Sequence, residues 1–343
     1  MNNNDAQRFQ ILSLSGGGYR GLYTAKVIDM LEQRSGKPLA ASFDLIAGTS
    51  IGGILGLALA SGVTGEQLVK LLEKNGSKIF PSFSFKPFQF MEKLVWKCSG
   101  HKFSYSHGLM GAKYQSEPLK ETIFEVVGDK TINDLSTRVL ITSANWTKGL
   151  GQFFKTQHNP EYDQDGLRKL VDVAMATSAA PVYFPNYEFN NQIYVDGGLV
   201  GNAPGLYACH EAEINIPSAI EKEIHLLSIG TLSSISRADQ SLTPNKGLWQ
   251  WGPKLIDLMM ACQEGITNNM LQQKLGNDRY IHIDEEITVD QSRNIDLDKV
   301  TEASTKTLLG MASISGQKHL ANHKLREMLD HCAAAPEFFN QKC

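Results

Sequence analysis

Three short stretches of this chain carry residue types that could perform acyl transfer together. The first is Gly48-Thr49-Ser50-Ile51-Gly52, a G-x-S-x-G turn. The apolar run 43–47 leads into it, and 54–60 reads as a buried helix beyond it. A serine on so sharp a turn needs flanking residues with almost no side chain, a need that Gly48 and Gly52 meet. Its hydroxyl would stand at a helix N-terminus, where the dipole favours developing negative charge. The second stretch is Ser15-Gly16-Gly17-Gly18-Tyr19-Arg20-Gly21. Successive glycines offer unobstructed backbone N–H groups, which can bind an oxyanion or a phosphate. No Gly-Lys-Ser/Thr follows, as it would in a phosphate-binding P-loop. A nucleotide-binding regulatory module remains the competing reading of this loop. The third stretch is Asp196-Gly197-Gly198, which closes a short strand at 192–195. Asp and Gly are ordinary turn residues. The sharper reading aims the carboxylate into a cleft while the glycines let the chain bend away. Nucleophile, base and oxyanion donors are the three roles that acyl transfer requires.

The usual base for a serine is histidine. The chain has 9 histidines, at 101, 107, 158, 210, 225, 282, 319, 323 and 331, and none sits in a distinctive motif. The sequence alone leaves them open as triad members.

The elements that must position these residues alternate. Strands are expected at 8–14, 43–48, 138–144, 151–156, 192–195 and 223–230, with helices after Gly21, at 54–60, 65–75, 116–126 and 167–178. Strands joined through helices imply an α/β fold with a largely parallel sheet and right-handed crossovers. Ligands in such sheets sit at the carboxyl ends of the strands, where both glycine-bearing loops lie. The core sheet is expected to end in the polar stretch 233–247. Helices at 250–275 and 299–331 flank a short strand at 279–283. Acidic residues from Asp284 to Asp298 lack the spacing of a calcium loop and read as a solvated surface.

Five of the 15 phenylalanines fall between Phe80 and Phe90, and lysines and Trp96 follow. Exposed aromatics with lysines suit a membrane interface. Residues 79–107 are therefore read as a lid or lipid-contacting loop, with an insertion packed into the core as the alternative. The chain of 343 residues has a net charge of −3, which gives no reason to expect a nucleic-acid polymer as partner. Five scattered cysteines without a C-x-x-C suit a reducing compartment. No secretory signal and no run of 18 apolar residues stands out, so membranes would be met from the soluble side.

In order and spacing, the segment Ser13-Leu14-Ser15-Gly16-Gly17-Gly18-Tyr19-Arg20-Gly21, the elbow at Ser50 and Asp196-Gly197-Gly198 resemble the patatin-like phospholipase family. The resemblance implies a three-layer α/β/α fold around a mostly parallel sheet. It implies a calcium-independent lipid acyl hydrolase with a serine–aspartate dyad, requiring neither metal nor cofactor for catalysis. Carried onto this chain, it makes Ser50 the nucleophile, Asp196 the base, and Gly16, Gly17 and Gly18 the oxyanion loop. Arg20 would shape that loop, and Gly21, Gly48, Gly52, Gly197 and Gly198 support the motifs. Ser228-Ile229-Gly230-Thr231 resembles a further family segment, with Leu232 in place of the usual second glycine. The resemblance covers 8–235 as a core, leaving 236–343 as a mainly helical extension packed on it.

The length and helical C-terminal part further resemble the patatin-like effectors of bacterial anti-phage (CBASS) systems. In those, a cyclic dinucleotide switches on degradation of membrane phospholipids. This implies a cytoplasmic enzyme, peripheral to the inner face of the membrane when active, with a cyclic dinucleotide activator. A homo-oligomer stays open. No motif identifies an activator pocket, so an ungated lipase or thioesterase of the same fold is the second enzymatic reading.

Overall fold

The computed structural model describes residues 7–82, 111–232 and 253–339. The lid reading of 79–107 falls mostly outside the described residues, as does the polar loop 233–247.

The first strand, β1 (Arg8–Leu14), has every residue from Phe9 to Leu14 buried, as a central parallel strand requires. Phe9 and Ile11 face one apolar layer, Leu12 and Leu14 the other. Helix α1 (Gly21–Ser35) follows the glycine loop and ends at Gly36, whose φ of 69° is the left-handed stop that glycine tolerates. Strand β2 (Leu45–Gly48) runs parallel to β1, with Leu14 opposite Gly48. The two strands therefore release their glycine-bearing loops at one level. Helix α2 (Ile51–Ala60) is buried along its whole length. Helices α3 (Gly65–Ile79) and α4 (Glu117–Val127) cover that side, α3 opening with a capping box between Thr64 and Gln67.

Strand β3 (Arg138–Asn145) has three partners. Its first half pairs with β2 in parallel, up to Ile141 opposite Gly48. Strand β4 (Leu150–Lys155) runs antiparallel along its other edge. Helix α5 (Leu170–Thr177) and strand β5 (Tyr187–Phe189) then lead to β6 (Gln192–Asp196). β6 pairs antiparallel with the second half of β3, Asp196 opposite Ser143. Because β4 occupies one edge of β3 across both halves, β2 and β6 must share the other. They approach each other head-on along it, and their ends, Gly48 and Asp196, are separated only by the level of Thr142.

Helix α6 (Gly205–Asn215) and β7 (Glu223–Ile229) return the chain to the far side of β1, in parallel. The sheet does not end there, contrary to the sequence expectation. After helix α7 (Pro253–Arg279), strand β8 (Tyr280–Ile283) pairs with β7 in parallel. Gly276, at φ 70°, breaks α7 and turns the chain into β8. The result is an eight-stranded sheet, parallel at β3-β2-β1-β7-β8 and antiparallel at β4, β5 and β6. The helical stretch expected at 299–331 holds two helices, α8 (Glu302–Leu320) and α9 (His323–Asp330). Asn322 separates them because its side chain accepts from the Lys324 N–H and caps α9.

One face of the sheet carries the larger core, with α1 to α5, α8 and α9, and the other carries α6 and α7. Among the described residues no helix is long and apolar enough to cross a membrane. The acidic run is not simply a solvated surface. Asp284 accepts from the Leu232 and Glu285 amides, and Asp298 from Tyr114 Oη and Lys113.

Candidate active site

Ser50 sits between β2 and α2 with φ 53° and ψ −125°, a backbone conformation costly for any residue with a Cβ. The surroundings impose it. The Ser50 N–H donates to Thr177 Oγ1 at 2.9 Å, and the Thr49 N–H donates to Leu14 O. Gly52 is required by close approach, since a Cβ there would lie 2.2 Å from Leu14 O and 2.6 Å from Ser15 O. The strained turn leaves the Ser50 hydroxyl free of capping duty, although the residue occupies the N-cap of α2.

That hydroxyl donates to Asp196 Oδ2 at 2.7 Å. The other oxygen, Oδ1, accepts from the Gly198 N–H at 2.6 Å, which fixes the carboxylate. Gly197 and Gly198 form the turn after β6, and the Gly197 Cα passes against Thr142 O, too close for a side chain. Ser50 is 8% exposed and Asp196 5%. Burial raises the Asp196 carboxyl from 3.8 to about 6, against the lowering effect of its bonds from Gly198 and Ser50. A carboxylate so raised is a stronger base than a free one. Among the described residues, the side-chain hydrogen bonds of Ser50 and Asp196 involve no histidine. Buried His158 instead bonds Thr156 and Glu211.

The glycine loop faces the same point. The Gly16 N–H is engaged by Asn202 O at 3.1 Å, so it is not available to a ligand. Gly17 and Gly18 line the cavity next to Ser50, and their amides make no hydrogen bond among the described residues. Two of the three expected donors are thus placed to act. Gly18 has φ +56° and lies against Leu297 O, where a Cβ would be 2.2 Å away. Arg20 folds back on the loop, its Nε–H donating to Gly17 O at 3.4 Å. Gly21 opens α1 where it packs on Ile51.

From this polar end an apolar cavity runs between α2, α3 and α4, lined by Ile54, Ala58, Leu72, Leu119 and Ile123 among others. A phosphate site would line its far wall with charge; this wall suits an acyl chain. The whole arrangement is a hydroxyl on a base, beside unengaged N–H donors, at the mouth of an apolar slot. It can perform attack on a carbonyl carbon.

Three neighbours carry no distinctive sequence motif: Thr177, Asn202 and Glu264. Asn202 lies in the stretch following Asp196-Gly197-Gly198, and its Nδ2 donates to Gly16 O and to Glu264 Oε2, each at 3.4 Å. Glu264 is 4% exposed on α7 and accepts from Ser15 Oγ at 3.1 Å. The signal for it was an acid at helical spacing within a buried stripe, Met260, Glu264, Leu271 and Leu275. Among the described residues one group brings three metal-ligating atoms within 4.8 Å of one another: Glu264, His282 and Asp284. Burial and the neighbouring Glu264 push Asp284 up to about 7. Both carboxylates already accept hydrogen bonds from Ser15, Asn202, Leu232 and Glu285, which accounts for them without an ion.

The family model described as patatin-like phospholipase matches residues 12–208, which hold the glycine loop, the elbow and Asp196. A "cGAMP-activated phospholipase" of Pseudomonas aeruginosa is 39% identical over 335 residues, 97% of this chain and 95% of that protein. Proteins with the same description from Vibrio cholerae and Escherichia coli are 36% and 34% identical, over 87% and 94% of this chain and 88% and 93% of theirs. Matched by that model over more than half of its length, and by relatives 34–39% identical over most of both chains, the chain belongs to the patatin-like phospholipase family, a family of lipid hydrolases.

Proposed function

We propose that this protein hydrolyses acyl esters of membrane phospholipids through Ser50 and Asp196, and that a cyclic dinucleotide switches it on. The observation that carries the chemistry is the 2.7 Å bond from Ser50 Oγ to Asp196 Oδ2 at the polar end of an apolar cavity. Ser50 Oγ attacks the ester carbonyl carbon as its proton passes to Asp196 Oδ2. The carbonyl oxygen becomes an oxyanion, held by the Gly17 and Gly18 amides. Collapse breaks the ester C–O bond, and the lysolipid oxygen leaves with the proton from Asp196. Water then attacks the acyl-serine, gives a proton to Asp196, and releases a fatty acid; the proton returns to Ser50. The balance is one ester and one water consumed, one acid and one alcohol formed, with no cofactor.

The regulatory part of the reading is supported by the three relatives described as cGAMP-activated, each aligned over most of both chains. An activator of this kind must bind the active state better than the resting state. The enzyme would work from the cytoplasm, on the inner face of the membrane. The test is fatty-acid release from phospholipid vesicles by purified protein across a panel of cyclic dinucleotides, with Ser50→Ala as control. The expected result is release that depends on one of the cyclic dinucleotides and is absent in Ser50→Ala. Release without any nucleotide would leave an ungated lipase. Release by Ser50→Ala at the wild-type rate would overturn the dyad.

A further inference from the structure

We propose that Glu264, from helix α7, is a positioning residue that aims the oxyanion donor of Gly17, acting through Asn202. This rests on the reading of Ser50 and Asp196 as the hydrolytic pair. The planarity of one peptide unit couples the Gly16 carbonyl to the Gly17 N–H. In a trans peptide, the C=O and the N–H that follows it point in opposite directions. Whatever holds the Gly16 carbonyl therefore also aims the Gly17 N–H. That carbonyl accepts from Thr231 Oγ1 at 2.9 Å and from Asn202 Nδ2 at 3.4 Å. Neither donor lines the cavity and Gly17 does, so holding the carbonyl on them leaves the Gly17 N–H for the cavity side.

Asn202 is held in turn. It is 0% exposed, and its Nδ2 is shared with Glu264 Oε2 at 3.4 Å. Its backbone N–H donates to Gln263 Oε1 at 3.2 Å, and its backbone O accepts from the Gly16 N–H. The second Glu264 oxygen accepts from Ser15 Oγ at 3.1 Å. One carboxylate thus bridges the residue before the glycine loop and the residue that holds the Gly16 peptide. Both contacts are long-range, 249 and 62 residues apart in sequence. A buried carboxylate is costly unless its hydrogen bonds are made. This one makes them to the two segments whose relative position sets the oxyanion site, and it does not line the cavity. Its role is to hold geometry, not to touch substrate.

Loss of this bridge leaves the Gly16 carbonyl held by Thr231 without a fixed Asn202, so the peptide tilts, and a small misplacement of a catalytic donor costs up to roughly 100-fold in rate. The test is steady-state turnover of a soluble p-nitrophenyl acyl ester, under conditions where the wild type is active. Glu264→Ala and Asn202→Ala are each expected to lower kcat by roughly 10- to 100-fold while KM changes by less than about twofold. Residues acting through one another are non-additive, so the double variant should be no slower than the slower single one. Glu264→Gln keeps one acceptor oxygen and should recover part of the loss. If Glu264→Ala does not fold, the isosteric Glu264→Gln and Asn202→Ala carry the same comparison. The proposal is overturned by folded variants with wild-type kcat, by a change confined to KM, or by losses that multiply in the double variant. Ser50→Ala, run alongside, separates the two readings. If it retains turnover the dyad itself fails, whereas an inactive Ser50→Ala beside a fully active Glu264→Ala refutes only the bridge.

Discussion

At the scale of single residues, Asp196 is expected to govern both rate and stability. Its carboxyl is raised from 3.8 to about 6 chiefly by burial. The base must be ionised to accept the Ser50 proton, so kcat/KM is expected to rise with pH and level off above about 6. Below that it should fall tenfold per pH unit; a flat profile from 4.5 to 7.5 on a soluble ester would contradict the assignment. The same shift has a cost for folding. A carboxyl whose folded pKa lies above its unfolded value disfavours the folded state once it ionises. The cost is absent below 3.8, grows between 3.8 and about 6, and is full above, where it amounts to roughly 3 kcal/mol. Asp196→Asn should therefore abolish hydrolysis yet be at least as stable as the wild type at pH 8, with that advantage shrinking toward pH 4. Urea titrations at the two pH values check this, and a variant equally destabilised at both would refute it. With Asp196 as the base, the proposed chemistry comes at the expense of the fold.

At the scale of elements, the site is made by strand ends. The strand–turn–helix units around Gly16 and Ser50 were legible because their signals are local: apolar runs, glycines, then helical periodicity. That Gly48 and Asp196 meet along β3 was not legible, because the register of three strands decides it and no short segment records a register. β8 was readable as a short strand at 279–283, but its parallel seat beside β7 was not. Gly52 tests the tightness of the elbow against β1. Gly52→Ala would push a methyl group to 2.2 Å from Leu14 O, an atom of a buried strand that cannot move away cheaply. Thermal melting should show a loss of roughly 1–3 kcal/mol, together with loss of turnover; an unchanged melting temperature would show that the elbow has room for a methyl group. Helix α2 also supplies cavity wall. Ala58→Leu should shorten the apolar slot, so long-chain esters lose roughly tenfold or more in kcat/KM relative to butyryl esters. An unchanged chain-length profile would place the acyl chain elsewhere.

At the scale of the whole molecule, the C-terminal third completes the sheet and backs the site. Besides β8, α8 meets α1 where Tyr23 Oη donates to Ser315 Oγ at 2.8 Å, and Gln10 Nε2 on β1 reaches Met328 O at 2.9 Å. A chain cut after residue 235 would expose the β7 edge and the apolar face of α1, and should aggregate when purified instead of giving a folded monomer by circular dichroism and gel filtration. Recovery of a folded, active 1–235 fragment would show the C-terminal part to be dispensable. Little of this dependence was legible in the sequence, where the dyad motifs end at Asp196-Gly197-Gly198 and the part beyond 235 reads as helices around one short strand. The central claim is that Ser50, activated by Asp196, is the nucleophile. Its most direct test is the intact mass and peptide map of the protein after exposure to an alkyl fluorophosphonate, with cyclic dinucleotides present. The expected result is one covalent adduct, on Ser50, formed at least 100-fold more slowly in Asp196→Asn. An adduct on another residue, or Asp196→Asn labelled at the wild-type rate, would contradict the account.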